Sequence, residues 1–299
     1  LDYPNCKAKV PDFEPCLRRL VEEMTLPLRT EQPETTTKKF YGTEMLPDEY
    51  RVMYEVEDEF WWYIGMRHNL FALLQKYWDW SVQSEPRILD AGCGTGANLQ
   101  QLVGCFGGRL NTGNAWGFDV SAEALHFSQK RGLENRVVQG SITEIPYASN
   151  SFDIAVSFDV LNNLPDDRRG FREIARVLRH EGLFILNLPA YQFLYGKHDQ
   201  AIGGKRRYNR KQVAARLAEA GMKVERSTYL NTVLFPPAAL VRFLNRGQTH
   251  QEVHSDLTLP SDTINHLLAK TMSVEAEVLR HTNWNLPLGL SVMTVARKL

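Results

Sequence analysis

A chain of 299 residues fits one α/β domain with appendages or two small domains, and 43% hydrophobic with 10% aromatic residues can fill a sizeable core. The 35 Lys and Arg balance 35 Asp and Glu, so no global field draws a polyanion, and no nucleic-acid partner is expected. Cys6, Cys16, Cys93 and Cys105 have no C-x-x-C spacing, so no metal site and no disulfide framework is expected either. A reducing, cytoplasmic setting follows, with no basic-plus-apolar leader and no apolar run near the ~18 residues that span a bilayer.

Residues 1–45 are rich in Pro, Thr and charge and read as an N-terminal extension and linker, with one short amphipathic helix carrying Leu17, Leu20, Val21 and Met24. Residues 46–80 read as helical and strongly aromatic, from Tyr50 through Trp61, Trp62 and Tyr63 to Trp80. From Arg87 strand and helix alternate, which implies a mostly parallel sheet. Strands are predicted over 87–90, 115–119, 136–139, 152–158, 183–188 and 223–228, and a last one over 290–297. Ser121 is the expected N-cap of a helix that Gly132 ends. Phe171, Ile174, Ala175 and Leu178 repeat at helical spacing, with Gly182 as the stop. Asn209 is the expected cap of a helix bearing Val213 and Leu217, which ends at Gly221. Residues 229–288 form a helical insertion with two predicted helices, one around Leu234 to Leu244 and one from Asp262 to Arg280, where a substrate lid would sit. Arg242 and Arg246 leave a membrane surface or a lipid-linked substrate as an alternative for the first of these.

The strand ending at Asp90 runs into glycines at alternate positions, Gly92, Gly94 and Gly96. Glycines let the backbone approach a ligand closely, and such a loop at a strand's C-terminal end is where doubly wound folds bind nucleotides. The spacing is G-x-G-x-G and not the dinucleotide G-x-G-x-x-G, which argues against a nicotinamide-dependent oxidoreductase. Asp119 ends the second strand, 23 positions after Gly96. There it can accept hydrogen bonds from both hydroxyls of a ribose; a solvated strand-end aspartate is the plainer alternative.

The run Asp-x-Gly-x-Gly-x-Gly from Asp90 to Gly96 resembles motif I of the class I S-adenosylmethionine-dependent methyltransferases. The resemblance implies a doubly wound α/β fold of Rossmann-like type. Its mostly parallel seven-stranded sheet is accompanied by a helical lid over residues 46–80 and the insertion before the last strand, within a domain spanning 46–299. It implies S-adenosylmethionine as cofactor, held by Asp90, Gly92, Cys93, Gly94 and Gly96, by Asp119 and Val120, by Ser141 and Ile142, and by Phe158, Asp159 and Val160. Ser141 stands where the family usually has an aspartate. Asn162 and Asn163 stand where many members have Glu-His, which excludes a histidine base at that place. For Asp159 a helix N-cap role stays open beside a cofactor contact. The segment from Glu59 to Arg67 resembles the leader helix of a bacterial small-molecule methyltransferase subgroup, in which Trp62 would stack on the sulfonium and Arg67 would pair with the methionine carboxylate. Core packing is the alternative for Trp61 and Trp62. Pro189-Ala190-Tyr191, His198-Asp199, Arg206-Arg207-Tyr208 and Leu286 to Ser291 resemble the same subgroup, so the resemblance covers residues 50–299.

His198 is the candidate base for an alcohol, phenol or amine acceptor, with Asp199 beside it, and Arg206 and Tyr208 are candidates for orienting the substrate. Structural roles are open for all four, because a run such as Lys205 to Lys211 is commonly a solvated basic strip. The reading is an enzyme that methylates an O or N atom of a small molecule; a catalytically silent cofactor-binding or scaffold protein is the alternative. The oligomeric state is not readable from the chain.

Overall fold

The computed structural model describes residues 47–107, 114–244 and 260–299. The helix and linker expected within residues 1–45 lie outside them, as does Arg246. Seven strands, β1 (Ile88–Ala91), β2 (Ala115–Asp119), β3 (Val137–Gln139), β4 (Phe152–Phe158), β5 (Leu178–Pro189), β6 (Met222–Leu230) and β7 (Ser291–Lys298), form one sheet. Their order is β3-β2-β1-β4-β5-β7-β6. The first five run parallel, and β7 lies antiparallel between β5 and β6. The chain reverses its direction of travel across the sheet between β1 and β4. A crevice therefore opens beyond their C-terminal ends, where open α/β sheets bind ligands.

Nine helices accompany the sheet among the described residues: α1 (Pro47–Val56), α2 (Trp61–Tyr77), α3 (Ala97–Gly107), α4 (Ala122–Lys130), α5 (Asp167–Val177), α6 (Lys197–Ala201), α7 (Arg210–Glu219), α8 (Phe235–Leu244) and α9 (Asp262–His281). Successive strand residues alternate between faces. Ile88 joins Leu70, Leu74, Leu99, Leu102, Met272 and Leu279 in one core layer. Its neighbour Leu89 joins Phe171, Ile174, Val213 and Leu217 in the other. Both faces are covered, which is why the central strands read as unbroken apolar runs and not as alternating ones. No helix among the described residues is long and apolar enough to cross a membrane.

Local caps follow the sequence. The Ser121 side chain accepts from Ala124 N, and Asn209 forms a reciprocal capping box with Gln212. Gly132 and Gly221, both at positive φ, end their helices. Gly182 does not act as the helix stop expected of it. Helix α5 ends at Val177 and β5 begins at the next residue. The register slips between Phe152↔Leu178 and Ile154↔Leu183, so Gly182 lies inside a strand bulge. The aromatic segment 46–80 is helical as expected, as two helices with a corner at Glu57 to Phe60.

The insertion divides into unlike halves. Helix α9 is a wall of the domain, with Ala269, Met272, Ala276 and Leu279 buried. It lies against α2 so closely that a β-carbon on Gly65 would stand 2.5 Å from Met272 Cβ. Asn265 on α9 also completes the start of α2, where Phe60 offers no side-chain cap: its Oδ1 accepts from Trp61 N at 2.9 Å and its Nδ2 donates to Glu59 O at 2.8 Å. Only α8 remains near the C-terminal edge, where Phe235 meets Tyr191 with ring centroids 5.3 Å apart.

Replacing Gly65 by alanine sets two effects against each other. Helix propensity gains up to about 1 kcal/mol, while forcing a methyl into a packed helix contact costs about 1–3 kcal/mol. With Met272 Cβ at 2.5 Å the second wins, and Gly65→Ala should lower stability by about 1–2 kcal/mol in urea titrations. A raised urea midpoint would mean that α2 and α9 are not in close contact.

Candidate functional site

The crevice is built around the loop after β1. Gly92, Gly94 and Gly96 have φ values of 81°, 54° and 90°, in the left-handed region that suits glycine. A β-carbon on Gly92 would stand 2.4 Å from Val160, so the two strand ends approach with only hydrogen between them. Gly92 N and Cys93 N both donate to Phe118 O at 2.9 Å. Asp119 Oδ2 accepts from Gly94 N and Oδ1 from Ser121 N, each at 2.9 Å. The carboxylate is thus held against the glycine loop.

Asp90 is different. It is 2% exposed, and its Oδ2 has no hydrogen-bond partner among the described residues. Burial, with the nearby charges of Asp119 and Glu57, pushes its carboxyl up to about 7. A buried carboxylate oxygen without a donor fits a ligand cation, such as the ammonium of an amino-acid-bearing nucleoside. With Asp119 and the glycine cradle, the residues present fit S-adenosylmethionine.

Other expected contacts divide. Val120 is exposed, and Phe158 and Val160 are partly exposed. The Cys93 side chain is buried in the core with Leu99, and that of Ile142 in the opposite core layer, so both leave only their backbone for a ligand. Ser141 Oγ is engaged with Thr143, 2.8 Å from its Oγ1 and 3.2 Å from its N.

The leader helix serves the crevice through residues the sequence reading passed over. Arg67 is 1% exposed and donates to Glu57 O at 2.8 Å, so it braces the corner between α1 and α2. Trp62 packs against the core and sits edge-on to Tyr63, with ring centroids 5.1 Å apart. Burial and the charges of Glu57 and Asp159 push the Tyr63 hydroxyl far up, so it stays neutral. Glu57 binds Thr95 of the glycine loop and Arg131, the latter at 2.8 Å.

On the acceptor side, Asp159 ends β4 at a φ of 56°. It caps no helix: the 3₁₀ turn Leu161–Asn163 has Val160 at its cap position and no side-chain bond. Its two oxygens instead accept from Asn187 Nδ2 at 3.2 and 3.3 Å. Burial pushes its carboxyl up to about 7, Asn187 and Arg207 pull it down, and Asp199 raises it. The loop after β5 therefore faces the same edge as the glycine loop, as the fold requires.

In that loop three of the four expected catalytic residues are engaged in hydrogen bonds within the protein. Asp199 has both oxygens engaged, with Arg207 Nε at 2.7 Å and Gly196 N at 2.8 Å, so it does not orient His198. Tyr208 is buried and donates to Asp167 Oδ2 at 2.7 Å. Arg206 donates to Leu164 O at 2.9 Å and Pro165 O at 2.5 Å and lies 3.5 Å from Asp167. The physical reason is Asp167, a carboxylate 1% exposed in the first turn of α5, which requires cations and donors around it. His198 is partly exposed on α6.

Residues 89–186 match the family model described as a methyltransferase domain. A ubiquinone/menaquinone biosynthesis C-methyltransferase of Bdellovibrio bacteriovorus is 31% identical over 150 residues, covering 46% of this chain and 61% of that protein. A demethylmenaquinone methyltransferase of Staphylococcus aureus is 30% identical over 129 residues, covering 39% of this chain and 51% of that protein. The match thus spans about half to three-fifths of the length of these relatives. Among solved structures, a chain in the complex between the Haloferax volcanii Trm112 methyltransferase activator and a methyltransferase shares the fold. Its TM-score is 0.52 at 18% identity, covering 84% of this chain and 93% of that one.

The orphaned Asp90 oxygen has a measurable consequence. A cation beside it lowers its pKa, so binding of S-adenosylhomocysteine near pH 7 should release protons, and affinity should weaken as pH falls below about 7. Calorimetry in buffers of differing ionisation enthalpy reads this directly; Asp90→Asn should abolish the release, and a buffer-independent enthalpy in the wild type would exclude the role. Gly94→Val combines a left-handed φ with a β-branched side chain, and the new β-carbon would stand 3.2 Å from Met53. Loss of S-adenosylhomocysteine binding is expected while circular dichroism keeps the wild-type spectrum; normal binding would move the cofactor away from this loop.

Proposed function

Residues 89–186 are a class I S-adenosylmethionine-dependent methyltransferase domain, and from that premise we propose that the chain transfers the cofactor's methyl group to an oxygen or nitrogen of a small molecule. Asp119 receives the ribose and Asp90 the ammonium, at the two sides of the glycine loop. When bound, the cofactor supplies a methyl group already activated by a positive sulfur, so the protein has to align the acceptor and take its proton.

Asp159 is the observation that carries this reading. It follows β4, next to Val160 in the chain and within the field of the Asp199–Arg207 pair, and burial raises its carboxyl to about 7. A base at that pKa works best at physiological pH. Asn187 holds both Asp159 oxygens through one amide nitrogen, which leaves lone pairs for an acceptor proton. Tyr63, kept neutral, adds a hydroxyl near the same carboxylate. The names of the first relatives point to carbon acceptors as a second reading. An acidic carbon would give its proton to Asp159 in the same way, and the position of the added methyl in the product distinguishes the two.

Asp159 acts as base only when deprotonated, so kcat/KM should fall as pH drops through about 7. Methyl transfer from radiolabelled cofactor, screened against small phenols, amines and carboxylates, measures it. Asp159→Asn should lower turnover about 10²–10⁴-fold and flatten that limb, with S-adenosylhomocysteine affinity retained. His198→Ala should lower turnover by less than about tenfold, since Asp199 does not hold its ring. A full loss in His198→Ala with Asp159→Asn active would return the base to His198. Cofactor binding without transfer to any acceptor would favour the silent binding protein.

A further inference from the structure

Behind the acceptor loop a cavity of about 410 Å³ opens between α5, α7 and the residues that follow β5. Three guanidinium groups wall it, Arg206, Arg207 and Arg216, together with Gln192 and Gln212. Two buried carboxylates answer these charges, Asp167 and Asp199, so one positive charge is in excess. Glu219, 3.5 Å from Arg216 and bonded to Arg168, stands exposed at the rim where water screens it.

The hydrogen-bond pattern of the walls has one polarity. Asp167 is occupied by Tyr208 Oη and by Arg216 Nε at 3.0 Å. Gln192 Oε1 accepts from Arg207 N at 2.9 Å, and Gln212 Oε1 accepts from Asn209 N at 2.8 Å. The acceptors of both amides are thereby used within the protein, and their Nε2 groups have no partner among the described residues. The second terminal nitrogen of Arg207 and that of Arg216 are likewise without one. The cavity is lined by donors whose own acceptors are all engaged. The start of the ten-residue helix α7 adds the positive end of its dipole, and Ala215 leaves the mouth open.

We propose that this cavity binds an oxyanion, a phosphate or carboxylate, carried by the methyl acceptor. The inference rests on the methyltransferase reading for the word acceptor, though not for the anion. Arg207 links the two places: one face of its guanidinium bonds to Asp199, whose charge bears on Asp159 at the end of β4, and the same side chain lines the cavity. A substrate that presents its reacting atom to Asp159 can therefore anchor an anionic tail behind Arg207. The remaining terminal N–H groups of Arg207 and Arg216 suit that geometry as charge-assisted donors to an oxyanion.

Replacing the arginines would unbalance buried Asp167 and could unfold the loop, so the test uses Ala215. Ala215→Glu puts a carboxylate at the mouth of the cavity on an exposed helical position and touches none of the ion pairs. Inorganic orthophosphate is titrated into the full chain by calorimetry at low ionic strength, where screening is weak. The expected result is phosphate binding that Ala215→Glu weakens at least about tenfold, equal to about 1.4 kcal/mol, while S-adenosylhomocysteine affinity stays within twofold of wild type. No phosphate binding by the wild type, or equal binding by the variant, overturns the anion site. A wild type that binds phosphate but not S-adenosylhomocysteine would instead remove the methyltransferase reading and leave the anion site standing. In the turnover assay, phosphate that raises the acceptor's KM with kcat unchanged marks the anion as part of the acceptor. A changed kcat at constant KM marks a free effector and overturns the acceptor assignment.

Discussion

A carboxylate buried at the corner between α1 and α2 holds the cofactor crevice together. Glu57 is 5% exposed, and a charge so placed is stable only with partners around it. Each partner comes from a different element: Thr95 from the glycine loop, Arg131 from the end of α4, and the charge of Arg67 from α2. Burial pushes the Glu57 carboxyl up and Arg131 pulls it back, so the corner and the loop stabilise one another. The loop is gripped from the opposite side as well, where Ser128 Oγ donates to Gly94 O at 2.8 Å. Arg131 lies over the Tyr54 ring at 4.7 Å, and that ring stacks on Phe127 at 4.8 Å, which carries the restraint into α1. A glycine loop that could adopt many conformations is therefore held in one.

Three aspartates at strand ends show how environment divides roles among identical side chains. Asp119 is bound by two backbone N–H groups, which fix it as an ionised acceptor against the glycine loop. Asp90, a strand away, has one oxygen with no donor and is suited to a cation. Asp159 has an amide partner and a neighbouring ion pair, which set it to exchange a proton. The sheet order brings all three to one edge, since β1 lies between β2 and β4. Asp119 is tied to the loop that Asp90 opens, and Val160 after Asp159 packs over Gly92.

Most of the fold was legible in the chain because its signals are local. Apolar runs mark strands covered on both faces, and Ser121 and Asn209 cap their helices through atoms three residues away. The glycine loop was legible for the same reason, a strand followed at once by its turn. The acceptor side was not. Tyr208 and Arg206 find Asp167 some forty residues earlier in the chain, and nothing near them in sequence marks it as a buried charge. Asp199 stands next to His198 in sequence, yet in a helix adjacent side chains diverge, and it turned to Arg207 and its own helix start. Gly182 misled because a glycine after a helical pattern reads as a stop, whereas here the pairing of β5 with β4 had already begun at Leu178. Glu57 gave no signal among Glu55, Asp58 and Glu59; only the fold singles it out.

The capping of α2 by Asn265 also bears on how the protein is made. Trp61 and Asn265 are 204 residues apart, and β7, which joins β5 to β6, is the last strand in the chain. During synthesis the N-terminal helices emerge first but lack the Asn265 cap and the α9 face they pack on until α9 has left the ribosome. The glycine loop is braced by those helices through Glu57, so the nascent chain carries the cofactor motif long before it carries a formed site. Contacts this distant slow folding and leave apolar surface exposed meanwhile.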